Sequence, residues 1–292
     1  MSKKIKLGFA DTHEHISQFF HSLLANRFDV EIDNENPDYL IFGDSNFGTN
    51  NKKYSKSDCV KIFYTGENQR PDNYDCHYAI TFDHNYSNWH FRLPLFVVYM
   101  WALDAIHNTG HKYYHILGEH NPILKTDFCS FVVSNPGCEE RNEFFNELNK
   151  VKKVDSGGGL YNNIGSKLDG ELAKINFLTK RKFNICFESG SYPGYATEKI
   201  LHAFYARTIP IYWGSPTIAS DFNIQSFINV HDFSNHEEVI DFVMRLDSDE
   251  DLYNRVISAP PLAAGIPRDY MILNNFLNWF ESVVYNKQDM RE

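Results

Sequence analysis

Phe183-Asn-Ile-Cys-Phe187, then Glu188-Ser-Gly-Ser-Tyr-Pro-Gly194, then Tyr195-Ala-Thr-Glu-Lys199-Ile-Leu-His-Ala-Phe-Tyr205 is the stretch that decides how this chain folds. Its opening segment reads as a buried strand. The middle, rich in Gly, Ser and Pro, reads as a turn. Ile200, Leu201, Phe204 and Tyr205 then recur at helical spacing. Strand, turn and helix in that order is the unit from which parallel α/β sheets are built. Lys199 falls in the first turn of the helix, where the dipole carries partial positive charge and a second cation is unfavourable. An anion at that helix N-terminus would reconcile the two, and a diphosphate is the anion expected.

The same alternation runs outward in both directions. Lys4–Ala10, Tyr39–Phe42, Val60–Tyr64 and His77–Phe82 read as strands of a first unit, with a helix over Phe96–Ile106 after Pro94. A second unit begins with the strand Phe128–Val133. It continues through the helix Glu139–Asn149, the strand Val151–Val154, a helix near Leu168–Leu178 and the Phe183–Phe187 strand. The polar, Pro-containing Gly118–Lys125 marks the boundary, and Tyr270–Val284 carries a last helical pattern. The expected organisation is a Rossmann-like domain over 1–120, a second over 121–265, and a C-terminal helix within 266–292 that packs back on the first domain. Ligands of open parallel sheets bind beyond the carboxyl ends of the strands. Glu67, Arg141, Glu198 and Lys199 all follow strands closely enough to reach one cleft if the two units face each other.

Composition narrows the function. A chain of 292 residues, 42% hydrophobic, can fill two cores. Its formal charge of −10 argues against nucleic acid, whose phosphates are met by basic faces. No apolar run reaches the roughly 18 residues of a membrane span. The basic-then-apolar start reads as a first strand and not as a signal peptide. Five cysteines without a CxxC pair suit reduced thiols and a cytoplasmic location, with the sequon at Asn85 then unused. His13-Glu-His15, His107 with His111, and His111 with His115 have ligand-like spacing. None lies in an HExxH pattern, and Asp83-His84 is not a DxD, so no metal site is expected. Gly157-Gly-Gly159 lacks the Lys-Ser/Thr of a phosphate loop, and no GxGxxG follows the first strand, which disfavours a nicotinamide-dependent oxidoreductase.

Several separated segments resemble one family. Phe187-Glu-Ser189, Gly194-Tyr-Ala-Thr-Glu-Lys199, Thr208-Ile-Pro-Ile-Tyr-Trp-Gly214 and Ser226-Phe-Ile-Asn-Val-His-Asp-Phe233 are similar to the C-terminal signature of the bacterial α1,3/α1,4-fucosyltransferases, GDP-fucose-dependent glycosyltransferases of the GT10 type. The resemblance extends upstream through Phe63-Tyr-Thr-Gly-Glu-Asn68, Arg92-Leu-Pro-Leu95, Lys125-Thr-Asp-Phe-Cys-Ser-Phe-Val-Val-Ser-Asn135 and Arg141-Asn-Glu-Phe-Phe145. It implies the GT-B architecture of two facing, doubly wound Rossmann-like domains. It also implies an inverting transfer of L-fucose from GDP-fucose to the 3-OH or 4-OH of N-acetylglucosamine in an oligosaccharide acceptor such as a surface glycan.

That chemistry needs a base for the acceptor hydroxyl and cations for the departing diphosphate. Glu67 is the expected base, in the motif where the family carries its own. Arg141 and Lys199 are expected on the pyrophosphate, Arg as a planar fork and Lys as a compact charge. The resemblance assigns Glu198 to the ribose hydroxyls and Tyr195 to the lining of the donor site. Plainer readings stand beside these: Arg141 paired with Glu139 or Glu140 on a helix surface, Glu198 as a favourable first-turn acid, Tyr195 as a packed turn aromatic. Two departures alter the pattern. Ser189 stands where the family often has Asn, and Leu160 where Arg usually follows the glycine run. No cofactor is expected, a divalent ion being at most stimulatory, and any membrane association is at most loose and peripheral. The competing readings are a transferase for another nucleotide sugar and a non-catalytic nucleotide-sugar-binding protein.

Overall fold

The computed structural model describes residues 2–84, 87–107, 125–262 and 273–289. They fall into two compact units, one of residues 1–106 with 267–292 and one of residues 107–266. The boundary segment Gly118–Leu124, the sequon at Asn85, and His111 and His115 lie outside the described residues.

The first unit is built on a six-stranded parallel sheet: β1 (Lys3–Ala10), β2 (Phe28–Ile32), β3 (Tyr39–Phe42), β4 (Val60–Tyr64), β5 (Tyr78–Thr81) and β6 (His90–Arg92), in the order β2-β1-β3-β4-β5-β6. Every residue of β3 and β4 is buried. That is why both read as apolar runs, broken only by Lys61 in β4: a parallel sheet is covered on both faces. The edge strands β2 and β6 have no such run, and the sequence reading left them out. It also left out α1 (Glu14–Leu24), whose Ile16, Phe19, Phe20, Leu23 and Leu24 form a buried stripe at helical spacing. The helix after Pro94 is α2 (Leu95–His107).

The second unit carries β7 (Asp127–Phe131), β8 (Val154–Ser156), β9 (Arg181–Phe187), β10 (Ile209–Trp213) and β11 (Ile228–Asn229), all parallel, in the order β11-β10-β9-β7-β8. Its helices are α3 (Glu139–Val151), α4 (Gly170–Thr179), α5 (Glu198–Tyr205), α6 (His236–Ser248) and α7 (Glu250–Ile257). Phe131, Phe144, Phe183, Phe187, Ile211 and Val243 belong to one core between sheet and helices. One expected element shifts. The strand placed at Val151–Val154 starts only at Val154, because nothing in Asn149-Lys-Val151 breaks α3, and the Asn149 side chain accepts from the Val154 N–H where the strand begins.

The chain then returns to the first unit as α8 (Leu273–Asp289). The expected helix began at Tyr270, and residues 270–272 lie outside those described. Phe280 packs against Phe28 and Tyr39, Phe276 against Phe20 and Phe91, and Arg27 donates to Asn274, Asn278 and Glu281. Strand order reverses at β1/β3 in one sheet and at β7/β9 in the other. The crevice outside the strand ends at such a switch point is where open α/β sheets bind ligands.

Candidate active site

Glu67 lies in the loop after β4, half-buried. Gly66 is required there, since a Cβ on it would come within 2.8 Å of Leu95, the first residue of α2. On the other side the loop is held by Thr65, whose hydroxyl accepts the Glu67 N–H at 2.9 Å and donates to Asp44 at 2.7 Å. Asp44 follows β3 and is fully buried.

In the second unit Arg141 is on the first turn of α3, beside the β7/β9 switch point, and is among the most buried large side chains. The plainer reading of it as a surface residue paired with a neighbouring acid is thereby excluded. Its guanidinium donates to the Asn135 carbonyl at 2.6 Å and, more weakly, to the Glu188 carbonyl at 3.5 Å, while its buried Nε finds no acceptor among the described residues. Glu140 instead meets His236, which also meets Glu147. Burial pulls the Arg141 guanidinium below its ordinary pKa. A buried fork with a donor to spare is a site prepared for an acceptor such as a phosphate oxygen.

The helix start at α5 corrects the expectation built on its dipole. The anion that reconciles Lys199 with that position is part of the protein. Glu188, with no accessible surface, directly follows β9 and places its carboxylate at the start of α5. It accepts from the Thr197 N–H at 2.7 Å, from the Thr197 hydroxyl, and from the Lys199 ammonium at 2.8 Å. The dipole argument therefore requires no bound ligand. Burial lowers the proton affinity of Lys199, but Glu188 and Glu198 outweigh it and hold the ammonium well above the usual lysine range. The side chain as a whole keeps 22% exposure.

Glu198, the first residue of α5, is 3.9 Å from the Lys199 ammonium and 3.8 Å from that of Lys174 on α4. Burial pushes its carboxyl up, and the two cations overcome this and hold it well below the carboxylate range. One turn on, His202 is fully buried 2.8 Å from Glu171. Tyr195 is packed in the turn, its carbonyl taking a bond from the Tyr212 hydroxyl, and its own hydroxyl reaches the exposed Ser189 at 3.0 Å. Arg141, Glu188, Ser189, Tyr195, Glu198 and Lys199 are thus linked at one end of one sheet. Leu160 packs against the second core and bonds through its N–H to Val133. The adjoining glycine run serves that approach: a Cβ on Gly158 would sit 1.9 Å from the Val133 carbonyl.

The sequence reading singled out neither Glu188, Asp44 nor Thr65 as site residues. The available signal was an acid directly after the apolar end of a strand, Ile185-Cys-Phe187-Glu188, with Lys199 in the helix that follows. His13 and His15 stack with centroids 5.5 Å apart, and among the described residues no group of three His, Cys, Asp or Glu is placed to hold a metal ion. All five cysteines are free. Among the described residues no helix is long and apolar enough to cross a membrane.

Two family models match most of the chain. Residues 6–99 match the alpha-(1,3)-fucosyltransferase FucT N-terminal domain, and residues 123–258 match the glycosyltransferase family 10 (fucosyltransferase) C-terminal domain. The chain belongs to glycosyltransferase family 10. Glu67 falls in the first matched segment, and Arg141, Glu188, Ser189, Tyr195, Glu198 and Lys199 in the second. Over 94% of its length the chain is 33% identical to the alpha-(1,3)-fucosyltransferase FucT of Helicobacter pylori, and it spans 64% of that protein. A crystal structure of an alpha1,3-fucosyltransferase superposes with a TM-score of 0.83 at 29% identity, covering 97% of this chain and 91% of the other. A crystal structure of alpha1,3-fucosyltransferase with GDP-fucose gives 0.79 at 28% identity with the same coverage. The fold class of this family 10 member is the GT-B type, two parallel α/β units.

Proposed function

We propose that this chain is an inverting α1,3-fucosyltransferase that moves L-fucose from GDP-fucose to the 3-OH, or 4-OH, of N-acetylglucosamine in an oligosaccharide acceptor. The observation that carries the reading is the cluster at the β7/β9 switch point. Arg141 is buried with an Nε to spare, and the Lys199 side chain keeps part of its surface exposed. Two donors of different shape suit the oxygens of a diphosphate leaving group. Glu198, kept ionised, accepts from ribose hydroxyls in this reading. Ser189 and the Tyr195 hydroxyl bonded to it line the donor. On the first unit, Glu67 removes the acceptor proton. There the His13 ring stacks on His15 and meets Phe47 edge-to-face. They are tied to the Glu67 loop through the bonds of Phe47 to Asp44 and of Asp44 to Thr65, and offer apolar faces to an acceptor pyranose.

Incubation with GDP-fucose and either lacto-N-neotetraose or lacto-N-tetraose tests the reading, with linkage analysis of the product. The expected result is fucose on the 3-OH of the first acceptor, and transfer to the second would reveal 4-OH use. GDP-fucose bound but never transferred would leave a binding protein, and transfer from another nucleotide sugar alone would replace the donor.

Lys199→Ala and Arg141→Ala are each expected to weaken GDP binding by about 1.5–3 kcal/mol, the worth of a charged hydrogen bond. Calorimetry measures it, and unchanged affinity in both variants would move the diphosphate elsewhere. Activity is also expected to persist in excess chelator. Around the cluster Arg141, Lys174 and Lys199 stand against Glu188, Glu198 and Glu171, so cations for a diphosphate are already supplied by side chains. Initial rates after exhaustive chelation, with Mg²⁺ or Mn²⁺ restored, decide it. A loss above about 99%, a barrier change near 2.7 kcal/mol that metal reverses, would assign leaving-group stabilisation to an ion.

A further inference from the structure

We infer that Asp44 and Thr65 are positioning residues for Glu67, a clamp that aims its carboxylate through the backbone. This rests on the proposed role of Glu67 as base.

Asp44 is an unusual residue to find where it is. It sits at the end of β3 beside the β1/β3 switch point, with no accessible surface. Among the described residues it has no ion-pair partner; its carboxylate accepts from the Thr65 hydroxyl at 2.7 Å and from the Asn46 N–H at 2.9 Å. A buried carboxylate without a cation is costly to keep. Stability alone gives no reason for it, since a neutral residue of the same shape would avoid that cost.

Its neighbours show what the charge does. Thr65 has one hydroxyl proton, and its carbinol oxygen must also serve the Glu67 N–H at 2.9 Å. An ionised Asp is acceptor-only, and at 2.7 Å it is a nearer acceptor for the Thr65 hydroxyl than the Glu67 carbonyl at 3.3 Å, so the proton goes to Asp44 and the oxygen lone pairs are turned to the Glu67 N–H. A neutral Asn at position 44 could instead present its amide N–H to the hydroxyl oxygen, in competition with Glu67. Leu95 closes the other side of the loop against Gly66, leaving the backbone at 65–67 one path. The Tyr64 phenol, buried and without a hydrogen-bond partner among the described residues, lies within electrostatic reach of both Asp44 and Glu67. The two carboxylates therefore belong to one small region. A base displaced by about 1 Å can cost on the order of 10²-fold in rate, so a clamp two bonds deep is enough to matter for turnover without touching substrate.

The test is a mutant cycle in the intact chain: Thr65→Val, Thr65→Ser, Asp44→Asn and Glu67→Gln, with Thr65→Val also built in the Glu67→Gln background. For each, kcat, KM for GDP-fucose, GDP affinity and melting temperature are measured. Thr65→Val and Asp44→Asn are expected to lower kcat by about 10- to 100-fold, with GDP affinity within about 2-fold of wild type. Thr65→Ser, which keeps both bonds, should restore kcat to within about 3-fold. In the Glu67→Gln background Thr65→Val should cost almost nothing more, because the group it positions is already disabled. The same rate loss in both backgrounds would mean that Thr65 only supports the fold, and would overturn the inference. So would wild-type kcat in Asp44→Asn, which is read even if Thr65→Val fails to fold. A Glu67→Gln enzyme that keeps a third of the wild-type rate overturns the base assignment itself, and this inference with it.

Discussion

Glu67→Gln is expected to lower turnover by about 10²–10⁴ while GDP affinity stays nearly unchanged, the usual worth of a positioned general base. The substitution keeps shape and hydrogen-bonding reach, and removes only the capacity to take a proton. The residues proposed for GDP are in the other unit, on α3 and α5, where Arg141 bonds to Asn135 and Lys199 to Glu188. The backbone bond from residue 67 to Thr65 is also indifferent to the side chain. The outcome should therefore be a pure loss of kcat, with KM for GDP-fucose and the melting temperature little moved. Calorimetry with GDP and a coupled assay of GDP release separate these quantities. Retention of a third of the wild-type rate would remove Glu67 from the mechanism, and parallel losses of GDP affinity and rate would show that the variant is misfolded.

Why Glu67 could be picked out of the sequence while Asp44 could not is a matter of what each signal depends on. Among the legible strands, β3 and β4 are buried throughout and β9 nearly so, and burial keeps them apolar apart from Lys61 in β4 and Arg181, Lys182 and Asn184 in β9. The edge strand β2, Phe28-Asp-Val-Glu-Ile32, buries only Phe28 fully and looks like any polar segment with three apolar residues. At the site, Glu67, Arg141, Glu198 and Lys199 were legible because each follows a strand or opens a helix within a recognisable motif. Asp44 and Thr65 are twenty-one residues apart and acquire meaning only when β3 and β4 pair and bring their ends together. Glu188 was visible as part of a motif, but its function was not. The dipole conflict at Lys199 was correctly seen from spacing alone. Its resolution was assigned to a ligand because the carboxylate that resolves it lies eleven residues earlier, directly after the preceding strand.

That carboxylate carries the second large effect. Glu188→Ala is expected to destabilise the second unit by about 3–5 kcal/mol, the cost of breaking a buried ion pair by removing one partner. Truncation leaves the Lys199 ammonium without the carboxylate 2.8 Å away and the Thr197 N–H, at the helix N-cap, without its acceptor. It also empties space that Gly214 is shaped to provide, since a Cβ there would lie 2.5 Å from the Glu188 side chain. Glu188→Gln separates charge from shape. Its carbonyl can still accept from Thr197, so the loss should fall to about 1.5–3 kcal/mol, that of a hydrogen bond to a charged group. Urea unfolding with hydrogen exchange across residues 183–213 locates the effect. A midpoint for Glu188→Ala within about 0.5 kcal/mol of wild type, the range of ordinary surface changes, would mean that Lys199 simply turns to solvent and the pair does not hold the helix start. The competing anion supplies the sharper comparison. If a diphosphate takes up the Lys199 ammonium, GDP should raise the stability of Glu188→Ala by more than it raises that of wild type, because ligand affinity for the folded state adds directly to folding free energy. Equal shifts would place the diphosphate out of reach of Lys199, and a smaller shift in the variant would show that Glu188 must hold the ammonium in position before GDP can use it.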